Sequence, residues 1–187
     1  MAKPIIDKSK RKDADFNPGS FLKRTLWYFT NALFFINPLF PFTKPKPFIL
    51  RLFGAKVGKR CLIKPRVNIK YPWYLNIGNG VSLGEGAWID NVVMVNFEDE
   101  STLSQDTVIL TGKHNVSSNS FDSQISEHPQ TIGEGSWICA KSIVGPGVSV
   151  GKYSILSMGS VAAKDMKDFG IYQGNPAKFK VARRIRQ

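Results

Sequence analysis

The stretch IGEGSWICAKSIVGPGVSVGKYSIL, residues 132–156, decides the fold. Its aliphatic side chains recur at every sixth residue, at Ile132, Ile138, Val144, Val150 and Leu156. This spacing matches neither the 3.6-residue period of a helix nor the two-residue period of a half-buried strand. A fixed hexapeptide period is typical of a coiled solenoid. The sequence therefore predicts a three-sided prism of short parallel strands, with one aliphatic side chain per side pointing inward.

The same spacing recurs earlier in the chain. It runs through Val57, Ile63 and Ile69, then Ile77, Leu83, Ile89 and Val95, and then Leu103 and Ile109. Two-residue slips after Ile69 and after Val95 predict corner bulges, and the gap from Ile109 to Ile132 predicts a loop. Small and polar corner residues are expected near positive φ, namely Gly78, Asn79, Gly84, Asp90, Gly133, Gly145 and Gly151. An evenly spaced β-sandwich would instead show a two-residue alternation.

Composition favours one domain with basic ends. The 187 residues are 42% hydrophobic, which is ample for a single core. The net charge of +12 is concentrated in residues 1–70 and 164–187, whereas residues 71–163 are net acidic. A nucleic-acid-binding protein would carry a basic stripe along its binding face, so this class is disfavoured. The C-terminal basic cluster is either a solvated tail or a site for a small polyphosphate, and comprises Lys164, Lys178, Lys180, Arg183, Arg184 and Arg186.

Cysteine and histidine usage limits the redox and metal chemistry. Cys61 and Cys139 lack CxxC spacing, which indicates neither a disulfide framework nor a zinc site and favours a cytoplasmic location. Two histidines cannot supply a three-histidine metal centre, so no metal is expected. The N-terminus has charge but no apolar core of a signal peptide.

Residues 21–53 are crowded with aromatic and aliphatic side chains. Lys23, Arg24 and several Asn and Pro residues interrupt the segment, so a transmembrane helix is not expected. One row falls at helical spacing: Leu22, Leu26, Phe29 and Leu33. This row predicts an amphipathic helix that either caps the open end of the solenoid or docks on an anionic membrane surface beside the basic residues 8–12.

His114 is the candidate catalytic residue. It lies in TGKHN, where the chain leaves the prism for the predicted loop. Catalytic residues favour loops held by rigid scaffolds, and histidine suits general-base work near neutral pH. A lone histidine is also compatible with a structural or merely exposed side chain. His128, in SEHPQ, is interpreted as a solvated loop end.

The order of motifs resembles that of the hexapeptide-repeat acyltransferases. Hexapeptide rows, TGKHN, TIGEGSWICAKSIVGPGVSVG, SMGSVAAKDM and IYQGNPAKFKVARRI follow one another over residues 48–187. Residues 51–91 are similar to the colanic-acid-biosynthesis-type acetyltransferases, relatives of the maltose, galactoside and nodulation enzymes. The resemblance implies a left-handed parallel β-helix, acetyl-CoA as acyl donor, and a homotrimer with its sites between subunits. It also implies that His114 is the general base.

The resemblance implies donor-side and acceptor-side residues as well. The residues expected near the coenzyme are Trp137, Ala140, Met158, Ala163, Lys164, Asn175, Pro176, Arg183 and Arg184. Met158 and Ala163 depart from the family pattern GAGSVVTKD, so a hydroxyl contact at 163 is lost. Trp88, Asp90 and Asn91 are expected on the acceptor side, although Asp90 is equally compatible with a corner residue. Asn115 replaces the usual Asp beside the histidine, so a carboxylate that would assist the imidazole is missing at this position.

Together these features predict three parts: a basic arm and helical cap over residues 1–53, a β-helix over 54–163 with a loop at 111–131, and a basic turn and short helix over 164–187. The expected activity is O-acetylation of a sugar hydroxyl in surface-polysaccharide synthesis, with a sugar, nucleotide-sugar or lipid-linked glycan as acceptor. The alternatives to this function are an antibiotic-inactivating acetyltransferase and a non-catalytic scaffold.

Overall fold

The computed structural model describes residues 6–126 and 128–185. Within this part, short strands stack into the three sides of a prism, here named faces 1, 2 and 3. Face 1 contains Lys56–Val57, Leu75–Ile77, Val95–Phe97 and Gln130–Ile132. Face 2 contains Leu62–Ile63, Ser82–Leu83, Thr102–Leu103, Trp137–Ile138, Ile155–Leu156, Gly170–Gly174 and Ala177–Ala182. Face 3 contains Asn68–Ile69, Trp88–Asp90, Val108–Leu110, Ile143–Val144 and Val161–Ala162. The predicted parallel solenoid is confirmed.

The predicted aliphatic rows form the core. Thirteen of the fourteen positions are buried, and Val57, in the first coil, is partly buried. The position of the second slip is wrong, because Phe97 rather than Val95 stands in register with Ile77. The extra residues therefore lie between Ile89 and Phe97. All three insertions leave the prism at one corner, between face 3 and face 1.

The corner glycines act differently from the prediction. Gly84 follows a buried aliphatic residue, and a Cβ there would lie 2.4 Å from the carbonyl carbon of Ser104 in the next coil. Close backbone approach therefore requires glycine at this position. Positive φ occurs two residues later, as at Gly86 with φ of +71°. The expectation of positive φ is wrong for Gly84 and equally for Gly78, Asn79, Asp90, Gly133, Gly145 and Gly151.

Two helices close the first coil. They are α1, Phe21–Thr30, which continues as a π-helix over Asn31–Ile36, and α2, Lys46–Leu52. Short 3₁₀ turns occur at Lys8–Lys10 and Pro72–Tyr74. The predicted cap is confirmed, but its contact row is wrong. Trp27, Phe35 and Leu50 are buried against the coil, and the Trp27 indole donates to the Ile69 carbonyl at 2.9 Å. The predicted row points outward, with exposed fractions of 67%, 53%, 59% and 56% for Leu22, Leu26, Phe29 and Leu33.

The C-terminal segment is a β-hairpin. Gly170–Gly174 extends face 2 in parallel with Ile155–Leu156, and Ala177–Ala182 returns antiparallel to it after the turn at Asn175–Pro176. Over residues 164–185 the structure contains no helix, so the predicted short helix is wrong. The open edge of face 2 supplies backbone partners that an isolated short helix would lack. Arg186 of the basic cluster, like residues 1–5 of the arm, lies outside the described residues.

Lys46 should make stability depend on pH in an unusual direction. Its side chain is fully buried and its ammonium donates to the Lys64 carbonyl at 2.9 Å. Burial lowers its pKa from 10.5 to about 8. Between these values the unfolded chain binds more protons than the folded chain, so the free energy of unfolding should rise as pH increases through this window. Over this pH window, the free energy of unfolding of the wild-type protein should rise by on the order of 2 kcal/mol more than that of a Lys46→Met variant.

Urea unfolding at several pH values between about 7.5 and 10.5 would measure this effect. Subtracting the variant's values removes the contribution of groups common to both proteins. Lys44→Met, at an exposed position nearby, is the matched control and should give a flat difference. A flat difference for Lys46→Met as well would show that the folded state does not lower this pKa.

Candidate active site

His114 lies at the corner where all three insertions emerge. It ends the strand Gly112–His114, which pairs antiparallel with Ser123–Ile125 to form a hairpin outside the prism. The imidazole stacks on the Phe121 ring, with centroids 4.3 Å apart and an interplanar angle of 17°. His114 is otherwise exposed. The hairpin and the stacked ring therefore hold the imidazole in one place while leaving an edge open to a ligand.

A cleft of about 340 Å³ lies in front of His114, and we name it the histidine cleft. The hairpin provides one wall, and Lys70, Asp90 and Val92 of the prism provide a second. The third wall is the N-terminal arm, residues 11–16. Polar groups and a histidine therefore converge on a space large enough for a sugar residue.

The N-terminal arm is bound to the loop by several hydrogen bonds. Lys12 N–H donates to the Asp122 carboxylate at 2.8 Å, Ser123 N–H donates to the Lys12 carbonyl at 3.0 Å, and Ala14 N–H donates to Ser123 Oγ at 2.7 Å. The pKa of Asp122 is lowered, first by the Lys12 backbone N–H and then by Ser120 and Ser118. The negative charge of Asp122 is thus stabilised by the arm that it holds.

Asp90 and Asn91 have different roles in the structure. Asp90 forms an ion pair with Lys70 at 2.7 Å on the wall of the histidine cleft. Asn91 is fully buried, and its amide donates to the carbonyls of Tyr71 and Tyr74 while accepting from Tyr71 N–H. Asn91 therefore holds the corner turn behind the cleft. Trp88, also predicted on the acceptor side, is partly exposed on face 3, one residue before Ile89.

The hydrogen bonds of Asn115 go to the loop and not to the His114 imidazole. Its Oδ1 accepts from Ser117 N–H at 3.0 Å, and its own N–H donates to the Asp122 carbonyl at 2.8 Å. These bonds shape the loop immediately after His114. His128 is exposed and lies beside Pro146 and Gly147, outside the histidine cleft but in an adjoining depression that shares the strand Ser123–Ile125 with it.

The predicted donor-side residues lie elsewhere on the prism. Trp137 is on face 2, where its indole donates to Ser104 Oγ at 2.7 Å. Ala140 follows on the turn to face 3, and five exposed positions lie further along the chain: Met158, Ala163, Lys164, Asn175 and Pro176. Within residues 6–126 and 128–185, none of these donor-side residues lines the histidine cleft.

Arg183 and Arg184, the two arginines expected near the coenzyme, differ in whether the guanidinium is free to bind a ligand. The Arg183 guanidinium donates to the carbonyls of Gly135 and Tyr153, both at 3.0 Å, so it braces the hairpin against the coils. Arg184 is exposed. Of the two, Arg184 has the guanidinium that is open to solvent.

Lys70, Phe121 and the arm were missed at the level of sequence. Lys70 could have been found, because the early coils advance by 20 residues and therefore place it directly under Asp90. Phe121 and residues 11–16 belong to non-repeating segments, where no spacing indicates a partner. Groups of three or more potential metal ligands do not occur in the described part of the chain.

Comparisons with known proteins assign the family. No protein-family model matches the chain. WcaF of Escherichia coli K12, which is named as a colanic acid biosynthesis acetyltransferase, is 32% identical over 87% of this chain and 88% of its own length. The chain belongs to the hexapeptide-repeat acetyltransferases. It is therefore an enzyme of the acetyltransferase class rather than a non-catalytic scaffold, and its solenoid is the left-handed β-helix of that family.

Two further proteins are similar to this chain. The galactoside O-acetyltransferase of Lactococcus lactis is 29% identical over 71% of this chain and 65% of its own. Among solved structures, the hexapeptide-repeat acetyltransferase VCA0836 of Vibrio cholerae, in complex with acetyl-CoA, has a TM-score of 0.79 at 16% identity, covering 91% of this chain and 94% of its own. This last likeness concerns the fold.

Proposed function

We propose that this enzyme transfers the acetyl group of acetyl-CoA to a sugar hydroxyl during surface-polysaccharide synthesis, with His114 as the general base. The observation that carries the proposal is the exposed imidazole at a polar cleft of sugar size. WcaF and the galactoside enzyme, by their names, support a sugar acceptor. The Lys70–Asp90 pair would bind hydroxyl groups of the sugar, because a carboxylate accepts and an ammonium donates.

The proposed reaction is a direct transfer. His114 takes the proton of the acceptor hydroxyl as its oxygen attacks the thioester carbonyl, the carbon–sulfur bond breaks, and the thiolate of CoA recovers the proton. A cysteine acyl-enzyme finds no support in the structure. Burial raises the pKa of both Cys61 and Cys139, so neither is a thiolate near neutral pH, and neither lines the histidine cleft.

We also propose that acetyl-CoA binds along Trp137, Ala140, Met158, Ala163, Lys164, Asn175 and Pro176, with Arg184 near a phosphate. The separation of these residues from the histidine cleft supports a homotrimer in which His114 of one copy faces the coenzyme groove of the next. Light scattering of the purified protein would test this assembly. A monomer with full activity would contradict it.

The reaction itself can be tested with acetyl-CoA and a panel of acceptors. The panel would contain free sugars, nucleotide-sugars, lipid-linked sugars and aminoglycosides, and free thiol release would report transfer. We expect turnover with one or more sugar acceptors. Turnover with aminoglycosides alone would favour the antibiotic-inactivating alternative, and no release with any acceptor would overturn the proposal.

The outward face of the cap supports a peripheral membrane contact at the inner face of the membrane. We name Leu22, Leu26, Phe29 and Leu33 the outer row; all four are more than half exposed. Residues 16–84 contain no Asp or Glu, so the charged residues that flank the row in the sequence are all cations. An apolar helical face among cations favours anionic lipid. No helix in the described ranges is long and apolar enough to cross a membrane.

Changing the outer row should therefore weaken lipid binding. We expect Leu26→Glu with Phe29→Glu to reduce sedimentation with phosphatidylglycerol vesicles by at least about tenfold at low salt, because both apolar burial and charge attraction are lost. Val116→Glu, at an exposed apolar position on the loop, is the matched control. Equal vesicle binding by all three proteins would exclude the outer row as the contact.

A further inference from the structure

A second, larger cleft runs beside the first, between α1 with its π-helical extension and face 3. Its volume is about 790 Å³, within the usual range of small-molecule sites. We name it the apolar cleft, because most of its wall is aromatic or aliphatic. The main apolar contributors are Phe21, Tyr28, Phe29, Ile36 and Trp88. A ligand here would bury hydrocarbon against both the helix and the sheet.

The apolar cleft leads to the candidate active site. Lys70 and Asp90 line both the apolar cleft and the histidine cleft. The two spaces therefore adjoin at this ion pair, with His114 on one side and Trp88 on the other. The other wall of the apolar cleft is α1, whose outer row lies on the proposed membrane-facing surface. A single elongated molecule could reach from that surface to the imidazole.

The charge at this region suits a phosphate. Arg24 of α1 and Lys70 of face 3 both line the apolar cleft, and Arg24 is exposed. Asp90 offsets part of the charge of Lys70 through their ion pair. One net positive charge remains, since Asp90 is the only acidic residue that lines this cleft in the described chain. A phosphate or diphosphate is the complementary group.

We propose that the acceptor is a lipid-linked glycan, whose prenyl-type tail lies in the apolar cleft, whose phosphate meets Arg24 and Lys70, and whose sugar reaches His114. This inference rests on the proposed function, because it assigns the class of acceptor for the same site. Free and nucleotide-linked sugars would lack the tail and would leave the apolar cleft unused.

Equilibrium binding of farnesyl diphosphate to the full-length protein tests the tail site independently of transfer. Inorganic diphosphate is the charge-only comparison. Ala32→Trp fills the apolar cleft from its wall. Leu33→Trp is the matched control. Leu33 is the next residue, is exposed and lies outside the cleft lining, and the substitution keeps an apolar side chain in the outer row. We expect farnesyl diphosphate to bind at least about tenfold more tightly than diphosphate, and Ala32→Trp alone to remove that advantage.

A transfer assay tests whether the tail also promotes acetylation of the attached sugar. One sugar would be offered both as its farnesyl diphosphate derivative and as its methyl glycoside. We expect kcat/KM to favour the farnesyl form by at least about tenfold in the wild-type protein and in Leu33→Trp, and this ratio to fall to about one in Ala32→Trp. Equal binding of farnesyl diphosphate by all three proteins, or equal use of both sugar forms, would overturn the inference.

Two outcomes would distinguish a failure of this inference from a failure of the proposed function. Transfer to methyl glycosides with no preference for the farnesyl form would leave the proposed function intact and remove the lipid-linked acceptor. Farnesyl diphosphate binding that depends on Ala32, without transfer to any acceptor, would retain the tail site and remove the proposed reaction. If Ala32→Trp instead dissociates the assembly in light scattering, a second copy of the chain occupies the apolar cleft, and the inference is wrong.

Discussion

His114→Ala is expected to lower kcat/KM for acetyl transfer by at least about 100-fold, since general-base catalysis typically contributes 10²–10⁴-fold. His114 is the histidine that faces the histidine cleft from the hairpin, and an imidazole suits general-base catalysis near neutral pH. Removing it leaves the acceptor hydroxyl without a proton acceptor as its oxygen attacks. Thiol release with the best acceptor of the panel would measure the loss.

Folding and substrate binding should be nearly unchanged in this variant. His114 is exposed, and its described contact is the stack on Phe121, so the melting temperature should move little. His128→Ala is the matched control, because His128 is the other histidine and lies outside the histidine cleft. If His114→Ala retains kcat/KM within about threefold, another group must accept the proton and the proposed mechanism fails.

Trp27→Ala is expected to destabilise the protein by about 3–5 kcal/mol, the usual cost of removing a large buried aromatic side chain. Trp27 is 3% exposed and packs edge-on against Phe35 and Phe53, with ring centroids 5.3 and 5.1 Å apart. Its indole also supplies the hydrogen bond to the Ile69 carbonyl at 2.9 Å. The substitution would therefore leave a cavity and an unpaired carbonyl at the first coil.

Urea unfolding followed by far-ultraviolet circular dichroism would measure this loss without relying on tryptophan fluorescence. Phe29→Ala, two residues later on the same helix, is the control. Phe29 is 59% exposed, so its removal should change stability by less than about 1 kcal/mol. Equal losses in the two variants would mean that the cap does not contact the prism through Trp27.

The repeating part of the chain was predictable because its physical constraint repeats. Every coil must place an aliphatic side chain inside at each face, so positions such as Ile138 and Val144 could be assigned from spacing alone. The second slip was misplaced because Val95 and Phe97 are both apolar and both buried. Only the hydrogen-bond register, in which Phe97 pairs with Ile77, distinguishes them.

The candidate site was only partly predictable. His114 was a candidate from its position at the loop and from the resemblance. Phe121, which stacks on it, and the arm, which lines the same cleft, belong to segments whose pairings do not repeat. The cap shows a similar limit. Helical spacing correctly indicated a helix over residues 22–33, but two apolar rows were present, and spacing could not tell which one packs on the prism. The larger row of aromatic residues, with Trp27 and Phe35, is the inner one.

The three insertions that share one corner separate the parts of this molecule that can vary from those that cannot. A rung lengthened on any other edge would interrupt the hydrogen-bonded ladder above and below it. Extra residues at the His114 corner leave the hydrogen-bonded ladders of the three faces intact and cost little closure entropy as they grow. New acceptor preferences could thus be engineered by exchanging these excursions while every rung of the prism is retained.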